Sequence, residues 1–171
     1  MIHEFIPLIA LELREYLDMK FDAPDEVVIL SNLVEQDGSI AIREENKVVV
    51  SLINVERDGT NQMAGGGLSR GDIPVHVNVY VLFSAYFTNY AEALKFLSGV
   101  IGFFQANPTF TIFGDTVRVE MFNLDFKEIS NLWAALGAKY IPSVIYRLRT
   151  LNMDEGKIRD VLPPISGLTA D

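Results

Sequence analysis

A serine in a glycine-rich stretch has the spacing of a catalytic motif. Gly67-Leu68-Ser69-Arg70-Gly71 matches the G-x-S-x-G pattern of hydrolase nucleophile elbows. That chemistry requires a strand before the serine and a helix after it, because the sharp turn between them exposes the hydroxyl. Here glycines precede the motif, and an extended stretch that contains His76 follows it. The context indicates a chance match, and we predict no catalytic residues and no enzyme.

The other residues that could bind a cofactor or a metal lack the neighbouring residues that such a site requires. Gly65-Gly66-Gly67 could cradle a phosphate, but no Lys-Ser or Lys-Thr pair and no helix N-terminus follows. His3-Glu4 lacks the second histidine of a zinc-protease helix, and His76 beside Asn78 indicates a hydrogen-bonded sheet residue. The chain has no cysteine, which excludes thiolate ligands and disulfides. We therefore predict neither a cofactor nor a metal.

Charged residues recur at alternate positions in two later stretches of the chain. Arg118 and Glu120 alternate with apolar neighbours, and Arg147 and Arg149 do the same further on. The alternation predicts a charged outer face of a sheet. Cross-strand ion pairing and a contact surface for an acidic partner are both compatible with it. Together with the glycine-rich stretch, these positions give the candidate interface residues Gly65, Gly66, Gly67, Arg70, Arg118, Arg147 and Arg149.

Composition restricts the class of protein that could position these residues. The 171 residues suffice for one domain with a sizeable core. The mean hydropathy of +0.21 is high for a soluble chain, and either coverage of apolar surface by a partner or a large core would explain it. The net charge of −9 argues against binding to nucleic acid or to anionic membranes. The N-terminus has no basic region before its apolar run, and no apolar segment reaches membrane-spanning length. We expect a protein made without a cleaved export signal and without membrane insertion.

The stretch from Val75 to Phe110 predicts the centre of the fold. Its first part alternates in hydrophobicity, which predicts a long central strand. Asn89 then predicts a helix N-cap, with Glu92 as its capping partner. Two apolar stripes follow along the helix: Leu94, Leu97, Ile101 and Phe104, and Ala93, Phe96, Val100 and Phe103. A helix apolar on two sides is buried on two sides, so we expect it to lie between the sheet and further protein from this chain or from a neighbour.

The remaining elements complete a predicted α+β (α/β) domain with a single mixed, mainly antiparallel sheet and about three helices. A first helix spans Ile2 to Lys20, with Pro7 delaying its regular part to about Ile6. A third helix, capped by Asp125 and ended by Gly137, has the buried stripe Phe126, Ile129, Leu132, Trp133 and Leu136. Further strands are predicted at Val27–Leu33, Lys47–Arg57, Thr116–Leu124 and Val144–Leu151, with a short extended piece at Ser39–Arg43. Asp58 to Ile73 is predicted to form the long tip of a hairpin.

Several of these stretches together resemble one protein family. They are VVILSNLVEQDGSIAI, KVVVSLINVE, VNVYVLFSAYFTNYAEALKFLSGVIGFFQANPTF and DFKEISNLWAALGAKYIPSVIYRLRTL. In this order they resemble the N-terminal domain of the cap, or tail-terminator, proteins of extracellular contractile injection systems of the antifeeding-prophage and virulence-cassette type. Relative to the family, Asp58–Ile73 and Thr111–Thr116 look short. The resemblance implies a tail-terminator-like domain over residues 1–152, followed by a C-terminal tail, 153–171.

The resemblance also implies a function. It implies a structural cap that closes the distal end of the tube and sheath as a homohexameric ring, with tube and sheath proteins as its partners. Such a protein would be present in the bacterial cytoplasm during assembly and then in the phage-tail-like particle. No catalytic residues carry over from the family. The alternative that the residues themselves leave open is a small serine hydrolase or a ligand-binding domain.

Overall fold

The computed structural model describes residues 2–23, 26–58, 75–112 and 114–153. Three α-helices and six β-strands lie within these residues. In chain order they are α1 (Ile2–Phe21), β1 (Val28–Leu30), β2 (Lys47–Arg57), β3 (Val75–Tyr86), α2 (Tyr90–Ala106), β4 (Thr109–Ile112), β5 (Asp115–Phe122), α3 (Phe126–Leu136) and β6 (Ser143–Met153).

The six strands form one sheet in the order β1-β2-β3-β6-β5-β4. β1 pairs with β2 in parallel, and the four other pairings are antiparallel. The predicted α+β class, with a mixed, mainly antiparallel sheet, is therefore confirmed, and β3 is the central strand that its length predicts. β2 and β3 pair antiparallel, as predicted for the hairpin. Residues 59–74, which belong to the segment that connects them, lie outside the described residues.

One side of the sheet, here called the two-helix face, is covered by α1 and α2. The alternating residues Val77, Val79, Val81 and Phe83 of β3 lie in the same core cluster as the buried residues of both helices. α2 lies close against α1 at Gly99, where an added Cβ would lie 2.6 Å from both Leu17 Cδ2 and Phe21 Cε2. A glycine at this position therefore permits the close approach of the two helices.

The second stripe of α2 is only partly covered by the described residues. Phe104 is buried and packs on Phe83 and Tyr146, whereas Leu97 and Ile101 are half-buried and Leu94 is 43% exposed. The N-cap prediction is correct for Asn89, whose side chain accepts hydrogen bonds from the amides of Ala91 and Glu92. The Glu92 carboxylate, however, pairs with Lys95 at 3.1 Å.

The opposite side of the sheet, here called the one-helix face, carries α3 over one end. Its second core cluster contains Leu33, Ile42, Val49, Leu82, Trp133 and Ile145. The predicted capping box of Asp125 and Glu128 is present, and Gly137 ends the helix in the left-handed conformation at φ +69°. Trp133 is in the core as predicted. Phe126 is not: it is 93% exposed, because packing of the helix begins one turn later, at Ile129.

Three further predictions differ from the structure, and one strand was not predicted. α1 begins at Ile2 rather than near Ile6, because burial of Phe5 and Ile6 outweighs the missing amide of Pro7. β1 is limited to Val28–Leu30, and 39–43 contributes one isolated bridge, Val34 with Ile40. β4 was not predicted; it pairs with β5 and turns Phe110 and Ile112 into the core. The division into a domain, 1–152, and a tail, 153–171, stays a prediction, and β6 ends at Met153.

Candidate interaction surface

β5 and β6 bring the predicted charged residues together on the one-helix face. Val117, Val119, Tyr146 and Leu148 lie in the core of the two-helix face. Alternation along each strand therefore turns the intervening side chains to the other side of the sheet. The strand register pairs Glu120 with Arg147 and Arg118 with Arg149. We call these four residues, Arg118, Glu120, Arg147 and Arg149, the arginine patch.

The carboxylate of Glu120 contacts two of the three arginines in this patch. Arg147 Nη2 donates a hydrogen bond of 2.9 Å to Glu120 Oε2, and Arg149 Nη1 lies 3.6 Å from the same oxygen. The hydrogen bond from Arg147, followed by the charge of Arg149, holds the pKa of Glu120 below its usual value. Arg118 is exposed and has no partner among the described residues. The patch therefore carries an uncompensated positive charge on a chain whose net charge is −9.

A second polar contact adjoins the patch through β3. Tyr80 donates a hydrogen bond of 2.7 Å from its hydroxyl to Glu56 Oε2 on β2, and it is the strand partner of Arg147. Burial, and after it the bond to Glu56, raises the pKa of Tyr80. The Phe122 ring packs edge-on against Tyr80 at 4.8 Å, and the Arg147 guanidinium lies 5.8 Å from the centre of the same ring. Arg147 is thus held by this cation–π contact and by its hydrogen bond to Glu120.

Three side-chain atoms on this part of the sheet are buried without a hydrogen-bond partner in the described structure. They are His76 Nδ1, Asn78 Oδ1 and Arg147 Nε. The predicted hydrogen bonding of His76 applies to its backbone, whose carbonyl accepts from the Asp58 amide at 2.8 Å. Buried polar groups normally find partners. Because these three atoms are buried, they are not part of the exposed surface that a partner could contact.

Two cavities of about 270 and 340 Å³ lie between α3 and the sheet. The first is lined mainly by apolar residues, including Leu82, Ile129 and Trp133. The second is also mainly apolar, with Tyr80 and Glu56 at its wall. Their size and apolar lining would suit a small apolar ligand or a partner's side chain.

The glycine-loop candidates lie outside the described residues. These are Gly65, Gly66, Gly67 and Arg70, and Ser69 of the hydrolase-like motif lies with them. Within the described residues no group of three or more His, Asp or Glu could hold a metal ion. In the same residues, no helix is long and apolar enough to cross a membrane.

The sequence reasoning did not single out the outer side of α1 as a surface. Leu8 is 38% exposed, Leu11 40% and Met19 80%. Acidic side chains, all exposed, interleave with these apolar ones at helical spacing. The recurrence of apolar residues at 8, 11 and 19, outside the buried stripe, was the available signal. We call Leu8, Leu11, Glu12, Glu15, Asp18 and Met19 the acidic helix stripe.

The fold resembles solved structures of injection-particle terminators. The structure of "an Extracellular Contractile Injection System, PVC sheath/tube terminator in extended state" matches with a TM-score of 0.67 at 16% identity, over 100% of this chain and 62% of that one. The "anti-feeding prophage cap (AFP tube terminating cap)" matches with a TM-score of 0.58 at 15% identity, over 95% of this chain and 59% of that one. This chain thus spans less than two thirds of either.

Sequence comparison agrees with the fold. No functionally curated protein matches the chain significantly. The family model of the Pvc16 N-terminal domain, however, matches residues 8–167 of the 171. Since this match spans most of the sequence, the chain belongs to the Pvc16 N-terminal domain family.

Proposed function

We propose that this protein is a structural cap, or tail terminator, of a contractile injection particle. It forms a homohexameric ring on the distal end of the particle, where it binds the tube and sheath proteins and closes both. It is not an enzyme. It is present in the bacterial cytoplasm during assembly and afterwards in the particle.

The observation that carries this proposal is the fold match over the whole chain to a protein described as a sheath/tube terminator. A second structure with the same fold is described as a tube-terminating cap. At 15–16% identity the likeness concerns the fold alone. Membership of the Pvc16 N-terminal domain family independently supports the same class of protein.

A ring explains how a single protein could stop the growth of a helical assembly. A tube presents open, repeating contacts at its growing end and has no intrinsic stopping point. Identical subunits joined by heterologous contacts close into a ring when their rotation completes a circle. Such a ring offers no equivalent next surface. A persistent ring needs roughly 800 Å² buried on each partner, and the exposed apolar residues of α1 and α2 could contribute to it.

The contact residues that we propose for this ring and its partners come from two regions. The first is the arginine patch, in which Arg118, Arg147 and Arg149 share one face. The second is the glycine-rich stretch, from which we propose Gly65, Gly66, Gly67 and Arg70 on sequence grounds alone.

Deletion of the gene followed by imaging of the particles tests this proposal. We expect uniform particle lengths with the protein, and aberrant lengths or unstable tube and sheath without it. Reintroduction of the wild-type gene is the control and should restore uniform lengths. Particles of unchanged length and stability in the deletion strain would contradict the terminator function and make the cavities beneath α3 the better lead.

Reintroduction of a Ser69→Ala gene separates the cap from the hydrolase alternative. Because Ser69 lacks the strand–turn–helix context of a nucleophile, we expect this variant to restore particle lengths as the wild type does. Purified wild-type and Ser69→Ala proteins should also show the same background in an esterase assay. A loss of esterase activity on this substitution would support the hydrolase instead.

A further inference from the structure

We propose that the arginine patch of one subunit binds the acidic helix stripe of α1 on the next copy of this chain. This inference rests on the proposed ring and names the surfaces that form it. The occupant of the arginine patch is thus a second copy of the same chain, presented by a helix that is acidic and partly apolar on its outer side.

Charge complementarity is the first argument. The arginine patch carries three guanidinium groups and one carboxylate, and Arg118 has no partner among the described residues. The acidic helix stripe carries the exposed Glu12, Glu15 and Asp18, and the one basic residue between them in the sequence, Arg14, is half-buried. Oppositely charged surfaces steer association and fix its register. A chain of net charge −9 repels its own copies unless such a local excess of positive charge meets the acidic surface.

The positions of the two surfaces in the fold are the second argument. α1 covers the two-helix face, and its stripe points away from the sheet, because Leu13 and Leu17 on its other side are fully buried in the core. The arginine patch lies on the opposite side of the sheet. One subunit therefore cannot join its own two surfaces. Two copies can do so only head to tail, which is the heterologous contact that a ring requires.

The chemistry of the side chains is the third argument. Exposed ion pairs alone contribute little to binding, so a lasting contact also needs apolar area. Leu8, Leu11 and Met19 supply it on the helix. On the side of the arginine patch, Phe122 lies beneath Arg147, and Phe126 at the start of α3 is 93% exposed. Arginine beside aromatic rings is a composition typical of interface centres.

Charge reversal with rescue tests the contact in assembled particles. The first variant combines Arg118→Glu with Arg149→Glu, the second combines Glu12→Arg with Glu15→Arg, and the third carries all four changes. Each is the only copy of the gene in the cell. The readout is the amount of this protein per purified particle, by quantitative mass spectrometry and by imaging of particle ends. We expect the amount of protein per particle to fall about tenfold or more in each two-site variant. In the four-site variant we expect most of that amount to be recovered.

A matched control separates the contact from a general effect of charge. Arg43→Glu with Lys139→Glu changes the net charge as the first variant does, at exposed residues outside the arginine patch. Neither has an ion-pair partner in the described structure, and we expect wild-type retention. Thermal unfolding of each purified variant shows whether it is folded. If Arg149→Glu unfolds the subunit beside Glu120, the pair Arg118→Glu and Glu15→Arg, both at exposed positions, repeats the test.

The outcomes distinguish this inference from the proposed function. Folded variants that all cap particles as the wild type does would overturn the contact and leave the cap intact. Failure of the four-site variant to recover would also overturn it and would assign the arginine patch to a tube or sheath protein. Absence of the wild-type protein from particle ends would instead refute the cap itself.

Discussion

The two faces of the sheet have different packing. On the two-helix face, α1 and α2 cover the sheet, and Leu13, Leu17, Val79 and Val100 are at most 1% exposed. On the one-helix face, α3 buries Trp133 but leaves cavities beneath it and a polar patch beyond it. The two-helix face is thus the more completely packed side of the sheet, whereas the one-helix face leaves charged and aromatic side chains exposed.

The largest expected effect is on the two-helix face, at Phe104. Its ring packs against Phe83 and Tyr146 and is 3% exposed. Replacing a fully buried phenylalanine by alanine costs about 3–5 kcal/mol, a large share of a domain's stability. We expect Phe104→Ala, and likewise Phe103→Ala, to give an insoluble or much less stable subunit, as measured by urea unfolding. If both variants melt as the wild type does, the stability of the fold does not depend on this face.

A smaller effect on the same face is expected at Gly99. A methyl group there would meet Leu17 and Phe21 at 2.6 Å, and overpacking of this kind typically costs about 1–3 kcal/mol. The higher helix propensity of alanine compared with glycine offsets up to about 1 kcal/mol of this loss. We therefore expect Gly99→Ala to be destabilised in urea unfolding. The matched control is Gly102→Ala, whose nearest contact is the Tyr16 hydroxyl at 3.3 Å; it should be neutral or more stable. Equal stability of the two variants would contradict the close approach of α1 and α2.

A third, weaker effect is expected on the one-helix face, at Glu120. Its side chain is 31% exposed, so loss of the contact to Arg147 in Glu120→Gln should cost about 1 kcal/mol or less. The pKa of Glu120 is lowered in the folded state from an ordinary value of 4.5. The contribution of the ionised Glu120 side chain to the free energy of unfolding is therefore fully present above about pH 4.5. It is lost as the pH falls through the lower pKa that Glu120 has in the folded state. The stability difference between Glu120→Gln and the wild type should shrink below pH 4.5. A difference that is constant from pH 7 to pH 3 would show that ionisation of Glu120 contributes nothing.

Local signals in the sequence predicted much of the two-helix face and the ends of the helices. The run of β-branched residues gave the observed bounds of β2, and Asn89, Asp125 and Gly137 cap helices as their types predict. These features depend on residues within one or two turns of each other. For the same reason β4 was missed: it exists because β5 offers an edge to pair with, which is a tertiary condition.

The candidate surface was predictable only in part. Alternation placed the three arginines on one sheet face, but the strand register decides that Glu120 is shared by Arg147 and Arg149. The bond between Tyr80 and Glu56 follows a register shift between β2 and β3, which sequence periodicity does not reveal. Periodicity also overstated burial: it assigns an apolar stripe to the core whether or not the neighbouring layer reaches its end, as Leu94 and Phe126 show.

The smallest expected effect on stability, at Phe126, completes the comparison with Phe104. Both are phenylalanines on helices that pack against the same sheet, but Phe126 is 93% exposed where Phe104 is 3% exposed. Removal of an exposed side chain usually changes the unfolding free energy by less than about 0.5 kcal/mol. An exposed aromatic on the face that carries the arginine patch is, however, suited to an interface. We expect Phe126→Ala to unfold in urea as the wild type does, and to reduce the amount of this protein retained per particle. Lys127→Ala, next in sequence and also exposed, is the control for retention. If Phe126→Ala lost as much stability as Phe104→Ala, the one-helix face would also stabilise the subunit. If the amount of Phe126→Ala protein per particle were unchanged, Phe126 would be excluded from the contact.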